Sequence, residues 1–246
     1  MEALFEAALR LAAPLLLAAL GELVIERAGL IDIGIEGTML TGAFAGFVVA
    51  VASGSPLAGV AAAACAGLAV GALFAAFAVL GRVDQIVVGT AVNLLALGAT
   101  GAASRALYGG APPTAPTLGP LAAGPLAELP WLGALVFGQT AFLHAGLLLS
   151  LGIGLALART RPGLRLRAVG ESARAADAEG VSVPAIRFLA VLIGSSLAGV
   201  AGAALSLAQS DSFTEGMTAG RGFIALAIVI FGRWSSLGVR SRSRTK

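Results

Sequence analysis

The chain contains one cysteine, one histidine and, among its 16 basic residues, a single lysine at the final position. Each scarcity excludes a class of chemistry. Cys65 lies in an alanine-rich apolar run, so it cannot close an internal disulfide and reads as a small packing residue. His144 has no cysteine or carboxylate neighbour at ligand spacing, so no metal site is expected. It reads as an interfacial or packed polar residue at the outer end of its helix. With Lys246 as the only lysine, no GxxxxGK[ST] phosphate-binding loop can be written anywhere in the chain. Hydrolytic chemistry is disfavoured too, because the serines and threonines in apolar runs have no base beside them and no GxSxG elbow occurs.

Charge is also scarce. Only 12% of the residues are charged whereas 58% are hydrophobic, and glycine occupies 34 of 246 positions. Apolar runs of about 18 to 25 residues, long enough to cross a bilayer, recur through nearly the whole length. Backbone polar groups in hydrocarbon need internal partners, and runs of this length favour helices over a barrel. The expected fold class is all-α, a polytopic transmembrane helical bundle of about seven segments that includes broken or re-entrant elements. The segments fall near 7–25, 37–54, 57–80, 85–108, 140–158, 185–208 and 216–234. They form one membrane domain over 1–234, followed by a basic tail over 235–246. The N-terminus, with Glu2, Glu6 and Arg10, lacks the basic region and cleavage site of a secretory signal, so the first segment is expected to be retained. GLIDIGIEG, after Arg27, is too polar and glycine-rich for an uninterrupted lipid-facing helix and is expected to be broken or re-entrant.

Arginine placement sets the orientation. If 159–184 is cytoplasmic, alternation puts Arg27, Arg82, Arg159, Arg161, Arg165, Arg167, Arg174, Arg187, Arg233 and the basic tail inside, leaving Arg10, Arg105 and Arg221 outside. Residues 109–139 hold six of the ten prolines and no lysine or arginine, as an outer loop in extended or turn-like conformations would. The last apolar stretch, 222–232, reaches only about 16 Å as a helix, against roughly 30 Å of hydrocarbon. It either extends back past Arg221 or is a half-helix.

Polar groups inside helices mark candidate translocation-path positions, because hydrocarbon penalises them unless they pair or line a wet cavity. Asn93, near the middle of its segment, and Thr90, nearly one turn below, are the leading pair. An Asn amide suits a nucleobase edge or a sugar hydroxyl, and equally an interhelical hydrogen bond. Phe44 and Phe47 either stack against a substrate ring or pack. Gln209, Asp211, Glu215 and Arg221 form an outer group that either meets a binding protein, gates the path or is plain solvated loop. Small residues at four-residue spacing, Gly42/Gly46 and Gly67/Gly71, with Gly199, Gly202 and Ala203, predict close helix packing. Glu22, Glu26, Asp32 and Glu36 sit in one acidic run, the kind of relay an ion-coupled secondary transporter would use.

The cytoplasmic stretch holds Arg174, Ala175-Ala176, Asp177, Gly180 and Val183. The pattern Ala-Ala-x-x-x-Gly resembles the core of the EAA loop of ABC importer permeases, and that resemblance implies a short helix here, with Ser172 placed to cap its start and Gly180 ending it in a tight turn. Ala175 stands where a capping-box Glu would be. The segment resembles the EAA loop through which ABC importer permeases meet their ATPase. Together with ERAGLIDIGIEGTMLTGAFAG at 26–46, DQIVVGTAVNLLALG at 84–98 and GMTAGRGFIALAIVIFGRW at 216–234, it is similar to the permeases of the branched-chain amino acid and simple-sugar importer group. Within that group the likeness is to nucleoside systems associated with BMP-type lipoproteins. The resemblance implies a multi-pass permease subunit of the cytoplasmic membrane that binds no cofactor and no nucleic acid and is surrounded by lipid. It also implies three partners: an ATPase that hydrolyses ATP, a second permease (homo- or heterodimer) and an extracytoplasmic solute-binding lipoprotein. The substrate implied is a nucleoside or a simple sugar, and the ATPase-coupling residues are Arg174, Ala175, Ala176, Asp177, Gly180 and Val183. An ion-coupled secondary transporter is the alternative. Family members usually continue through further apolar helices after Trp234, whereas SSLGVRSRSRTK follows here, so a truncated or frameshifted C-terminus is expected, with a genuine short variant as the other reading.

Overall fold

Residues 2–119 and 140–232 are described by a computed structural model, and among them there are nine α-helices, one π-helical turn and no strand. The helices are α1 Glu2–Arg27, α2 Ile35–Ser53, α3 Pro56–Ala75, α4 Gln85–Tyr108, α5 Ala141–Arg159, α6 Arg161–Glu171, α7 Ala173–Ala178, α8 Val183–Ala208 and α9 Arg221–Phe231. The π-helical turn, Ala76–Leu80, prolongs α3. Six helices have the length and apolarity to cross a membrane, and α9 is a shorter apolar helix. The protein is thus a multi-pass helical bundle. The tail over 235–246 and most of the proline-rich loop lie outside the described residues.

Local chemistry places the helix starts. Ser55 Oγ accepts from Ala58 N ahead of α3, whose first residue is Pro56, a position where a missing N–H costs nothing. Asp84 Oδ1 accepts from Ile86 N at 2.8 Å and Val87 N at 3.3 Å, capping α4.

The bundle is assembled around α8, which packs against α1, α2 and α3. Its inner face carries small residues, so backbones meet with no side chain between them. A Cβ on Gly42 of α2 would run into the Gly199 carbonyl, one on Gly202 into the Met39 carbonyl, and one on Gly67 of α3 into the Ser195 carbonyl. The small-residue spacing read from the sequence therefore marks real helix crossings. Ser206 Oγ adds a buried hydrogen bond to Ala43 O at 2.9 Å. Cys65 departs from expectation: it is exposed on α3 and packs no core. His144 is half-buried, its Nδ1 3.2 Å from Thr140 O.

Candidate functional site

Between α1 and α2 the chain leaves helical form. Residues 28–34 run in turns and irregular backbone along α4. Ile31 N donates to Gln85 Oε1 at 3.1 Å, at the first residue of α4. Ile33 O accepts from Asn93 Nδ2 at 2.9 Å, and Gly37 N donates to Asn93 Oδ1 at 2.7 Å. Gln85 and Asn93 are about 12 Å apart along the helix axis at 1.5 Å per residue. This segment therefore runs along α4 into the bundle, and α2 starts within it: GLIDIGIEG, expected to be broken or re-entrant, is broken. Asp32 Oδ1 turns the chain by accepting from Gly34 N at 2.8 Å, while Asp32 N donates to the fully buried Glu22 Oε1 at 3.0 Å.

A second interrupted segment approaches from the opposite end. At the end of α8 Leu207 O accepts from Leu118 N, just beyond it Asp211 O accepts from Ala115 N, and Glu215 pairs with Arg105 at 2.5 Å near the far end of α4. The chain then passes Gly216, beside Leu97, and reaches Gly220. There Glu36 closes the gap: Gly220 N donates to its Oε1 at 2.8 Å and Gly222 N to its Oε2 at 2.7 Å. The helix α9 starts on that carboxylate, which satisfies two amides that would otherwise lack partners and complements the positive end of the helix dipole. It is a half-helix, eleven residues long, rather than a span extended back past Arg221. Two interrupted segments thus meet beside α4, the geometry that marks solute pathways in transporters built from broken helices.

The sequence-selected residues fall in different places. Asn93 lies at this junction, half-buried, with both ends of its amide engaged by backbone. Thr90 is exposed on α4, its hydroxyl turned back to Ile86 O at 2.8 Å. Phe47 is fully buried and Phe44 half-buried in an aromatic cluster with Phe213 and Tyr108, in which Phe44 and Phe213 meet edge-on at 5.0 Å. Of the outer group, Glu215 pairs with Arg105, Gln209 Nε2 donates to Arg10 O at 2.7 Å, and Arg221 Nη1 donates to Met217 O at 2.9 Å.

The stretch 160–184, expected to be cytoplasmic, folds as two helices where the sequence reading had one. Thr160 Oγ1 accepts from Gly163 N at 3.2 Å and Pro162 stands in the first turn, starting α6. Ser172 Oγ accepts from Ala175 N at 3.3 Å and starts α7. Gly180, at φ 78°, ends it in the left-handed region that a side chain would strain. Arg174, Ala175 and Asp177 are exposed, Ala176 is buried at 5% and Val183 begins α8. Beneath α7 a cleft of about 640 Å³ joins Arg174 and Asp177 to Arg82, Asp84 and Gln85 of the α3–α4 turn and to Gly29.

Residues 4–240 match the family model described as branched-chain amino acid transport system / permease component. The chain belongs to that family. This permease is 39% identical over 236 residues to the putative glucose ABC transporter permease protein TsgC13 of Haloferax volcanii, covering 94% of its own length and 70% of that protein's. It is 37% identical to the guanosine ABC transporter permease protein NupQ of Bacillus subtilis, covering 92% and 74% of the two chains. With the nucleoside ABC transporter permease protein NupC of Lactococcus lactis the identity is 34%, again over 92% and 74%. No solved structure matches the permease.

Sequence reasoning missed one residue at the permease's centre. Glu36 reads as one of several acids in a run, and nothing in its spacing announces Gly220 and Gly222, more than 180 positions away. The signal available was the pair of glycines flanking Arg221 at the start of an apolar stretch too short to span.

Proposed function

We propose that this permease is the membrane subunit of an ATP-driven importer in the cytoplasmic membrane, moving a small polar solute whose energy input arrives from a separate ATPase. One observation carries the reading: α7 is an exposed, side-chain-capped helix held between α6 and α8, at the end where Arg82, Arg174 and Arg187 gather. Small residues at Ala175 and Ala178 leave room for a partner groove, and Arg174 and Asp177 can fix its register. A push on α7 reaches α5 through α6 and reaches α8 directly, so docking and helix movement are mechanically joined.

The relatives' names support the solute class: NupQ is named for guanosine, NupC for nucleosides and TsgC13, putatively, for glucose. We favour a nucleoside, imported with the help of an extracytoplasmic binding lipoprotein and a second permease across the bundle's exposed apolar face. Leu94, Leu95 and Leu97 of α4 are exposed on that face together with Thr90. Lining of the path by Thr90 and by the residues around Asn93 fits such a pairing. The ABC permease relatives favour this reading over an ion-coupled carrier. The test is uptake of radiolabelled guanosine by cells expressing the full importer. The expected result is accumulation that glucose does not compete away, that survives a protonophore while ATP is maintained, and that stops when ATP is depleted. Competition by glucose would reassign the substrate, and collapse with the proton gradient at constant ATP would restore the carrier.

A further inference from the structure

Resting on the importer reading above, we propose that residues 28–37 are the element that transmits movement from the coupling loop to the pathway, with Glu36 as its output clasp.

The segment touches the cytoplasmic helices at one end. Arg187 Nε, one turn into α8, donates to Ala28 O at 3.2 Å. Gly170, near the end of α6, is packed so closely that a Cβ there would collide with Arg27 O, and one on Gly29 would stand 3.2 Å from Gly170 Cα. These are backbone contacts with little slack, and both belong to helices that flank α7. At its other end the segment holds the junction. Asn93 ties Ile33 and Gly37 to α4, and the Glu36 carboxylate holds the first amides of α9. Between the two ends the backbone is non-helical, pinned by Asp32 to Gly34 and to Glu22. A short irregular segment with fixed attachments at both ends moves as a unit, unlike a flexible loop.

The clasp is the part that can release. Its two hydrogen bonds are carboxylate-assisted, short and half-buried, yet they join elements that share no covalent neighbour. Shifting residues 28–37, together with the α4 residues that hold them, relative to α9 would withdraw Glu36 from Gly220 and Gly222 and free the start of α9 and the turns before it. Glu36 is therefore a positioning residue: it sets where α9 begins and does not touch the solute.

The readout that separates transmission from mere stability is solute moved per ATP hydrolysed. The full complex, with ATPase, second permease and binding lipoprotein, is assayed in proteoliposomes with radiolabelled guanosine or glucose, whichever the wild type accumulates. Glu36→Gln keeps one acceptor and sets an NH2 group against a backbone N–H, so one bond becomes a donor–donor contact. The expected outcome is ATP hydrolysis within about twofold of wild type, with uptake per ATP reduced about tenfold. Glu36→Asp, which keeps the charge, is expected to recover most of that ratio. Gly222→Ala, whose Cβ would stand 2.7 Å from Glu36 Cα, attacks the clasp from the other side and is expected to uncouple in the same way. Equal loss of uptake and hydrolysis, or an unchanged ratio in both Glu36→Gln and Gly222→Ala, overturns the relay while leaving the importer reading intact. A wild-type complex that moves neither solute overturns the importer reading, and this proposal with it.

Discussion

Asn93 Oδ1 accepts the amide proton of Gly37 at 2.7 Å, and the same side chain donates to Ile33 O. One amide thus spans the break between the non-helical segment and the first turn of α2. The donor and acceptor that would suit a nucleoside edge are engaged by the protein's own backbone. Asn93→Ala is expected to lower stability by about 1–3 kcal/mol, because it leaves half-buried backbone groups without partners. Thermal unfolding in detergent reads the loss. An unchanged Tm accompanied by a raised KM for uptake would instead place Asn93 in contact with solute.

Gly202 tests the close packing of α8. A methyl at this position is directed at the Met39 carbonyl, a backbone atom that cannot swing aside. Gly202→Ala is expected to cost about 1–3 kcal/mol by forcing α2 and α8 apart. Gly152→Ala on α5 is the control, since nothing lies within 4 Å of a Cβ there. It should leave Tm unchanged or slightly raised, as alanine favours helix over glycine.

Variants in and after α7 test the proposed docking role apart from folding. Gly180→Val places a β-branched side chain at φ 78°, so the turn after α7 must rearrange. Arg174→Glu reverses an exposed charge without touching the fold. Both variants are expected to insert normally and to retain less of the ATPase through affinity purification, with a loss of about tenfold for the charge reversal. Undiminished ATPase recovery with both would move the docking surface elsewhere.

The Arg105–Glu215 pair is expected to matter little for stability. Its side chains are 60% and 46% exposed, and exposed pairs contribute about 0–1 kcal/mol. Glu215→Gln should shift Tm by less than Gly202→Ala does, in the same detergent.

Much of this architecture is legible in the chain. Apolar run length locates the spanning helices, because hydrocarbon demands that length, and the glycine spacing on α2, α3 and α8 locates their crossings. GLIDIGIEG announces its own break, since Asp32 and three glycines cannot lie in a lipid-facing helix. Ser172 and Gly180 mark the two ends of α7 because capping is local chemistry. What escaped is non-local. Helix α6, rich in arginine, reads as loop by composition, and only its Thr160 cap and Pro162 hint otherwise. Phe47 admits stacking or packing in the sequence, and its neighbour Phe213, from a distant loop, is visible only in the fold. Glu36 is indistinguishable from its acidic neighbours until the fold delivers Gly220 and Gly222 to it.

The central claim is that energy enters this permease from a nucleotide-hydrolysing partner at the α7 end. The most direct measurement is radiolabelled guanosine uptake into proteoliposomes holding the complete importer, with ATP or a non-hydrolysable analogue supplied on the α7 side and no ion gradient imposed. The account predicts accumulation with ATP and none with the analogue. Accumulation driven by an imposed proton or sodium gradient in the absence of ATP would contradict it.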